Sequence, residues 1–324
     1  MANAGAPLGG MPPATGGAGG VAGGSFSGAS STAVAGSGPD VGGGGGAAGT
    51  STGGGGNAGS GVDSGGAAGG GGGTAGGGGG EPTKKPLKVW LAGDSTMQSC
   101  SSACPCGWGG QFDKLFDADV TVVNRAVGGR SIQTWLYEGA VTTSKDGAGE
   151  CALSSNNYAA RWSEMLDDAS GMQEGDYLFI QFGINDSTSE CPRHVGAEKF
   201  KSYLGIMAKA AFDRGATPVL VTPVSSISCS GANAVGTRGS FVTATKTAAT
   251  ASSAKLIDLH QLSVDRYTAL GLCPNSGDYS AGKVGAFFCE DHTHFESAGA
   301  EEIAKLVAQA VIDAKLPLAR YVLP

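Results

Sequence analysis

No stretch of this sequence is apolar for long enough to cross a bilayer, which takes about 20 residues of helix, and no stripe of lysine and arginine gathers along it. The first absence removes a membrane span; the second argues against nucleic acid as a partner. Histidine is scarce, with four among 324 residues, so any imidazole chemistry has few candidates. Charge is nearly missing from the first eighty positions. Asp40 and Asp63 are the only charged side chains there, and 36 of the 59 glycines crowd the same segment among Ala, Ser and Thr. Such a segment buries too little apolar surface to offset its ordering entropy, so residues 1–80 are expected to form a disordered linker. As a flexible coil it would span roughly 50 Å, and its glycines keep no three-residue period, which argues against collagen.

Residues 81–324 have an ordinary globular composition and are expected to form one domain with one sizeable core. The net charge is −7, of which the two linker aspartates account for −2, leaving a mildly acidic domain. All eight cysteines (Cys100, Cys104, Cys106, Cys151, Cys191, Cys229, Cys273 and Cys289) lie in it. An even number spread over loop-like sequence points to disulfides and an oxidising compartment, with buried thiols as the plainer alternative. Eight cysteines allow 105 pairings. Cys100, Cys104 and Cys106 lack the paired CxxC spacing of a structural zinc site, and no metal is expected. The N-terminus has neither the basic region nor the apolar core of a signal peptide. Export therefore leads to the expectation that Met1 is an internal start or a trimmed end, a signal or lipid anchor having preceded the linker. The expected product is a monomer, secreted or tethered at the cell surface.

Hydrophobic patterning predicts strands over 87–92, 120–124, 177–182, 217–222 and 255–259, and helices near 108–116, 158–169, 200–212 and 238–253. A last amphipathic helix repeats Ile303, Leu306, Val307, Ala310 and Val311 on one face. Parallel strands need crossovers, and the crossovers cover the sheet. The expected fold is therefore α/β, a three-layer α/β/α sandwich of about five parallel strands. In that arrangement residues just past the strand ends share one sheet edge, where such folds place their sites. Ser95, Gly129 and Asn185 are expected to meet there although far apart in sequence.

A serine needs a base, and the base needs an orienting group. The segment Asp291-His292-Thr293-His294 puts an aspartate three residues before a histidine, a separation that one turn closes. Ser95, His294 and Asp291 are the expected catalytic set, with Asp291 holding the imidazole Nδ1 proton so that Nε2 accepts from the serine. His292 is expected to point elsewhere. The N–H groups of Ser95 and Gly129 and the side-chain amide of Asn185 are the expected oxyanion donors, and Asp94 is expected to brace the Ser95 loop. Each piece also has a plain reading: Gly-Asp-Ser as a turn, Asn185-Asp186 as a helix cap, and Asp-x-x-His as a satisfied helix start.

The sequence resembles a known family in GDSTM (93–97), VGGRS (127–131), FGIND (182–186) and DHTH (291–294), which carry Ser, Gly, Asn and His in the order of the SGNH or GDSL hydrolases. The flanking residues are similar to the rhamnogalacturonan acetylesterases, carbohydrate esterase family twelve, in GDSTM, the GWG at 107–109, GRS at 129–131, and DHTH leading into AGAE at 298–301. The likeness covers most of residues 87–313 and none of the linker. It implies a flavodoxin-like fold without metal or organic cofactor, and removal of acetyl groups from plant polysaccharide. By motif position it implies Ser95 as nucleophile, Gly129 and Asn185 as oxyanion donors, and Asp291 and His294 as partners. The sequence departs from the subfamily at Ile184, where histidine is frequent, and in the cysteine-rich insertion Cys100 to Cys106. The expected function is a serine esterase acting on an acetylated carbohydrate such as pectin. A GDSL lipase, thioesterase or arylesterase is the alternative, and a non-catalytic carbohydrate-binding module a remoter one.

Overall fold

A computed structural model describes residues 84–100 and 104–324; the linker expected over residues 1–80 lies outside the described residues. Five parallel strands form the central sheet: β1 (Leu87–Gly93), β2 (Val120–Asn124), β5 (Tyr177–Gln181), β6 (Thr217–Val221) and β9 (Lys255–Ile257). Their spatial order is β2-β1-β5-β6-β9. Between β2 and β5 run the short helix α1 (Ile132–Leu136), the hairpin β3 (Val141–Lys145) with β4 (Cys151–Leu153), and α2 (Ala160–Met165). After β5 comes α3 (Ala197–Phe212); after β6 come the small hairpin β7 (Cys229–Ser230) with β8 (Asn233–Ala234) and then α4 (Gly239–Ser252). After β9 come α5 (Leu259–Ala269), α6 (Gly282–Phe287) and α7 (Ser297–Asp313), and a 3-10 turn, Pro317–Tyr321, is the last element. Among the described residues no helix is long and apolar enough to cross a membrane.

Side chains alternate across the strands, so one apolar run feeds two cores. Val89 and Leu91 of β1 join Phe179, Val219 and Ile257 under Trp108, Phe112, Tyr267 and the Ile303, Val307, Val311 face of α7. Trp90 and Ala92 join Leu178, Ile180 and Leu220 under Trp135, Trp162, the Phe200, Leu204, Met207 face of α3, and Phe241 of α4. The expected α/β/α sandwich is present.

Element boundaries departed from expectation where local hydrogen bonding intervened. The helix expected over 108–116 is two 3-10 turns, Trp108–Gly110 and Phe112–Leu115, because paired glycines weaken a short helix. The helix expected to reach 169 ends at Met165; beyond it Asp167 Oδ1 accepts from the N–H groups of Ala169 (3.1 Å) and Ser170 (2.8 Å) and turns the chain. The fifth strand stops at Ile257, since Asp258 caps α5 by accepting from Gln261 N. Helix α1 follows a capping box in which Ser131 and Thr134 satisfy each other's backbone N–H.

The order is that of a doubly wound sheet, in which the direction of strand addition reverses between β1 and β5 and opens a crevice at their carboxyl ends. Tertiary packing beneath that crevice is aromatic. Phe112 meets Trp108, Phe116 and Phe179 edge-on at centroid distances of 5.1, 4.9 and 5.6 Å. Phe179 is fully buried, so Phe179→Ala should lower unfolding free energy by about 3–5 kcal/mol, measured by urea denaturation; a loss below about 1 kcal/mol would show that this aromatic stack does not bear the fold.

Candidate active site

The turn after β1 is closed by its own backbone and by one buried carboxylate. Met97 N and Gln98 N donate to Asp94 O (3.1 and 3.0 Å), while Asp94 Oδ1 accepts from Thr96 N (2.9 Å) and Thr96 Oγ1 (2.8 Å). Thr96 Oγ1 in turn accepts from Gln181 Nε2 (2.6 Å), and Gln181 Oε1 accepts from Trp108 Nε1 (2.7 Å). This buried chain ties the turn to the third sheet strand, β5, and to the Gly107–Gly109 segment. That segment lies directly on the turn: Trp108 N donates to Thr96 O (2.9 Å), and a Cβ on Gly109 would stand 2.3 Å from Met97 O. Only glycine permits so close a backbone approach.

Ser95 emerges at the top of this turn, 6% exposed. Its Oγ lies 2.9 Å from His294 Nε2, and His294 Nδ1 lies 2.7 Å from Asp291 Oδ2. Asp291 divides its oxygens: Oδ1 accepts from the N–H groups of Thr293 and His294, each at 2.7 Å, leaving Oδ2 for the imidazole. Burial pushes the Asp291 carboxyl up, but the His294 and Thr293 donors outweigh it and hold the group below the usual carboxylate range. The segment around His294 is pinned from outside. Ile227 N donates to His292 O (2.9 Å), Thr293 Oγ1 meets Ser226 Oγ (2.8 Å), and Cys106 N donates to Phe295 O (2.9 Å).

Two further loops complete the ring. Gly129 has φ of +71°, a left-handed conformation natural to glycine, and a Cβ there would meet nothing within 4 Å. The N–H groups of Ser95 and Gly129 donate to no acceptor among the described residues. Asn185 Nδ2 donates to Arg130 O (3.1 Å), and Arg193 Nη1 donates to Asn185 Oδ1 (3.4 Å), so the amide is held from both ends. Asp186 is the brace between these loops, accepting from Ile132 N and Gly183 N, each at 2.9 Å. Burial pushes its carboxyl up to about 7 against those two donors, with Asp94 adding to the rise. The plain cap reading of Asn185-Asp186 therefore fits Asp186, at the first residue of α1.

Asp94 is fully buried, and burial raises its pKa while Thr96, His294 and Arg238 oppose the shift. His292 lies away from Ser95, along a neighbouring cavity with Arg238 and Tyr279. His194 and His260 bond the carbonyls of Thr188 (2.7 Å) and Pro223 (3.2 Å). The cysteines form four disulfides: Cys100–Cys106, Cys104–Cys289, Cys151–Cys191 and Cys229–Cys273. Cys104–Cys289 fastens the loop after Ser95 to the approach to Asp291. Sequence reasoning missed Gln181, Arg193 and Arg238. Only Gln181 carried a signal, being a polar residue inside an apolar strand, which must find partners.

A model of the GDSL-like Lipase/Acylhydrolase family matches residues 91–301. The rhamnogalacturonan acetylesterase RhgT of Bacillus subtilis (strain 168) is 32% identical over 249 residues, 72% of this chain and 94% of that protein. A rhamnogalacturonan acetylesterase of Emericella nidulans is 25% identical over 246 residues, 69% of this chain and 84% of that protein. The crystal structure of a Bacillus subtilis protein, YXIM, superposes with a TM-score of 0.56 at 22% identity, covering 72% of this chain and 58% of that longer one; it shares the fold.

Replacing Gln181 by Leu strands a buried indole N–H beside the Ser95 turn, so Gln181→Leu should cost about 1–3 kcal/mol of stability and lower esterase turnover. A thermal melt together with a nitrophenyl acetate assay checks this; a variant with unaltered melting and turnover would remove Gln181 from any supporting role.

Proposed function

The chain belongs to the GDSL-like lipase/acylhydrolase family, and from that premise we propose that it is a serine esterase removing acetyl groups from a carbohydrate, acetylated rhamnogalacturonan of the pectin type. It is a carboxylic ester hydrolase by kinship. The observation carrying the mechanism is the unbroken line Ser95 Oγ, His294 Nε2, His294 Nδ1, Asp291 Oδ2 at 2.9 and 2.7 Å. Curated relatives that are rhamnogalacturonan acetylesterases support the sugar, and four disulfides suit a secreted or surface-tethered enzyme.

In this reading Ser95 Oγ attacks the acetyl carbonyl carbon as its proton passes to His294 Nε2. Asp291 Oδ2 keeps the Nδ1 proton in place and steadies the imidazolium. The carbonyl oxygen becomes negative between the N–H groups of Ser95 and Gly129 and the Asn185 amide. The amide, already held by Arg130 O and Arg193, loses little freedom as it donates. His294 then protonates the departing sugar oxygen. Water, deprotonated by the same nitrogen, attacks the acetyl-serine, and acetate leaves with Ser95 Oγ restored.

Ser95→Ala should lower acetate release by about 10³-fold or more while the protein remains folded; full activity in that variant would overturn the assignment. Among acetylated pectin, xylan and mannan, pectin should be the fastest source of acetate. On nitrophenyl esters, eight-carbon chains preferred over two would instead favour the lipase alternative.

The orienting charge should persist into acid. Asp291 is held below the usual carboxylate range by the His294 and Thr293 donors, so it stays ionised where an ordinary aspartate would begin to take a proton. Carboxyl NMR of the labelled enzyme should give Asp291 a midpoint below about 3.9, and a midpoint above that would contradict the lowering.

A further inference from the structure

Of the eight arginines in the sequence, Arg125, Arg130, Arg161, Arg214 and Arg266 pair with carboxylates. Arg320 reaches the Tyr321 hydroxyl (2.9 Å). Three arginines form no ion pair among the described residues, Arg320 and the two that stand at the site, Arg193 and Arg238.

Arg238 is the better built of the two. Its Nη1 donates to Ser187 Oγ (3.0 Å), two residues past Asn185, and its Nη2 to Ser226 Oγ (3.2 Å). Ser226 Oγ bonds Thr293 Oγ1 (2.8 Å), the neighbour of His294. The guanidinium is thus strung between the oxyanion side and the histidine side, held by two neutral hydroxyls with no carboxylate in ion-pair contact. Its Nε is buried without a partner among the described residues. Arg238 also adopts φ of +57° at the start of α4 without capping the helix through its side chain, a conformation that costs a non-glycine residue energy and collects at functional positions. The guanidinium borders a cavity of about 590 Å³ shared with His292, Tyr279, Asn275, Thr237 and Ser228. That volume lies inside the roughly 300–1,000 Å³ of ligand pockets, and its walls combine hydroxyls and an amide with one phenol ring.

We propose that this cavity binds an acidic sugar unit of the substrate, the Arg238 guanidinium taking the uronate carboxylate while Ser95 acts on an acetyl group beside it. Hydroxyl and amide groups on the wall suit the ring hydroxyls. A carboxylate polymer approaching an acidic protein needs a local cation of this kind. The inference rests on the carbohydrate acetylesterase reading and adds the residue that distinguishes acidic from neutral chains. The competing role for Arg238 is to offset the buried Asp94 carboxylate, whose charge reaches it.

The two roles separate in kinetics. Unaltered enzyme, Arg238→Gln and Arg238→Lys are compared for acetate release from acetylated polygalacturonate and from acetylated glucomannan, an uncharged polymer, with circular dichroism melts alongside. Arg238→Gln should raise KM on polygalacturonate about tenfold or more, the range of a lost hydrogen bond to a charged group, and lower the polygalacturonate-to-glucomannan ratio of kcat/KM by a similar factor; Arg238→Lys should recover part of it. Sodium chloride near 0.5 M should raise the unaltered enzyme's KM on polygalacturonate more than on glucomannan, a result that decides the matter even if Arg238→Gln does not fold. Equal losses on both polymers, or no salt difference, would overturn the uronate site. Acetate released from neither polymer would overturn the carbohydrate reading itself.

Discussion

The Thr96 hydroxyl donates to Asp94 and accepts from Gln181, and the remaining site geometry depends on that junction. The Ser95 turn is set at the rim of a parallel sheet, where the backbone has run out of ladder partners and must be fixed by other means. Asp94 Oδ1 closes the turn from inside, and Gln181 anchors it to the neighbouring strand. The indole of Trp108 completes the chain, while its own backbone N–H takes the Thr96 carbonyl. Each member is buried, so each bond also removes the penalty of an unmet polar group. The glycines at 107 and 109 follow from the same constraint, because side chains there would occupy the space of the turn.

The other loops are positioned by a second carboxylate. Asp186 joins the start of α1 to the turn at Gly183, and so ties the loop that carries Gly129 to the one that carries Asn185. Both Asp94 and Asp186 have pKa values raised by burial, whereas Asp291, half-exposed and rich in donors, has a lowered one. Three aspartates within one site thus occupy different electrostatic conditions, set by solvent and by the N–H groups around each. The one that stays readily ionised is the one facing an imidazole.

Some of this was legible in the residues. The strands were readable because buried parallel strands are continuous apolar runs, and β2 fell over 120–124 as expected. Asp291 and His294 were readable because three residues of one turn impose their own proximity. The hairpins β3-β4 and β7-β8 and the helix α5 left weaker traces. Helix α5 buries only Leu259, His260, Ser263 and Tyr267, a face too mixed for periodicity to reveal. The 3-10 turns at 108–115 read as helix because their aromatic spacing is helical; the glycines decided otherwise.

Sequence by itself determined that Ser95 follows a buried strand, that Asp291 can reach His294, and that alternating strands and helices must form a covered parallel sheet. These are local or periodic properties, carried by neighbours along the chain. Tertiary structure alone decided which cysteines pair, that Gln181 supports Thr96, that Arg193 holds Asn185, and that Arg238 stands between Ser187 and Ser226 without an ion-pair partner. Those contacts span from 6 residues (Cys100–Cys106) to 185 (Cys104–Cys289), and their partners are chosen by the order of strands in the sheet and the lie of the loops above it.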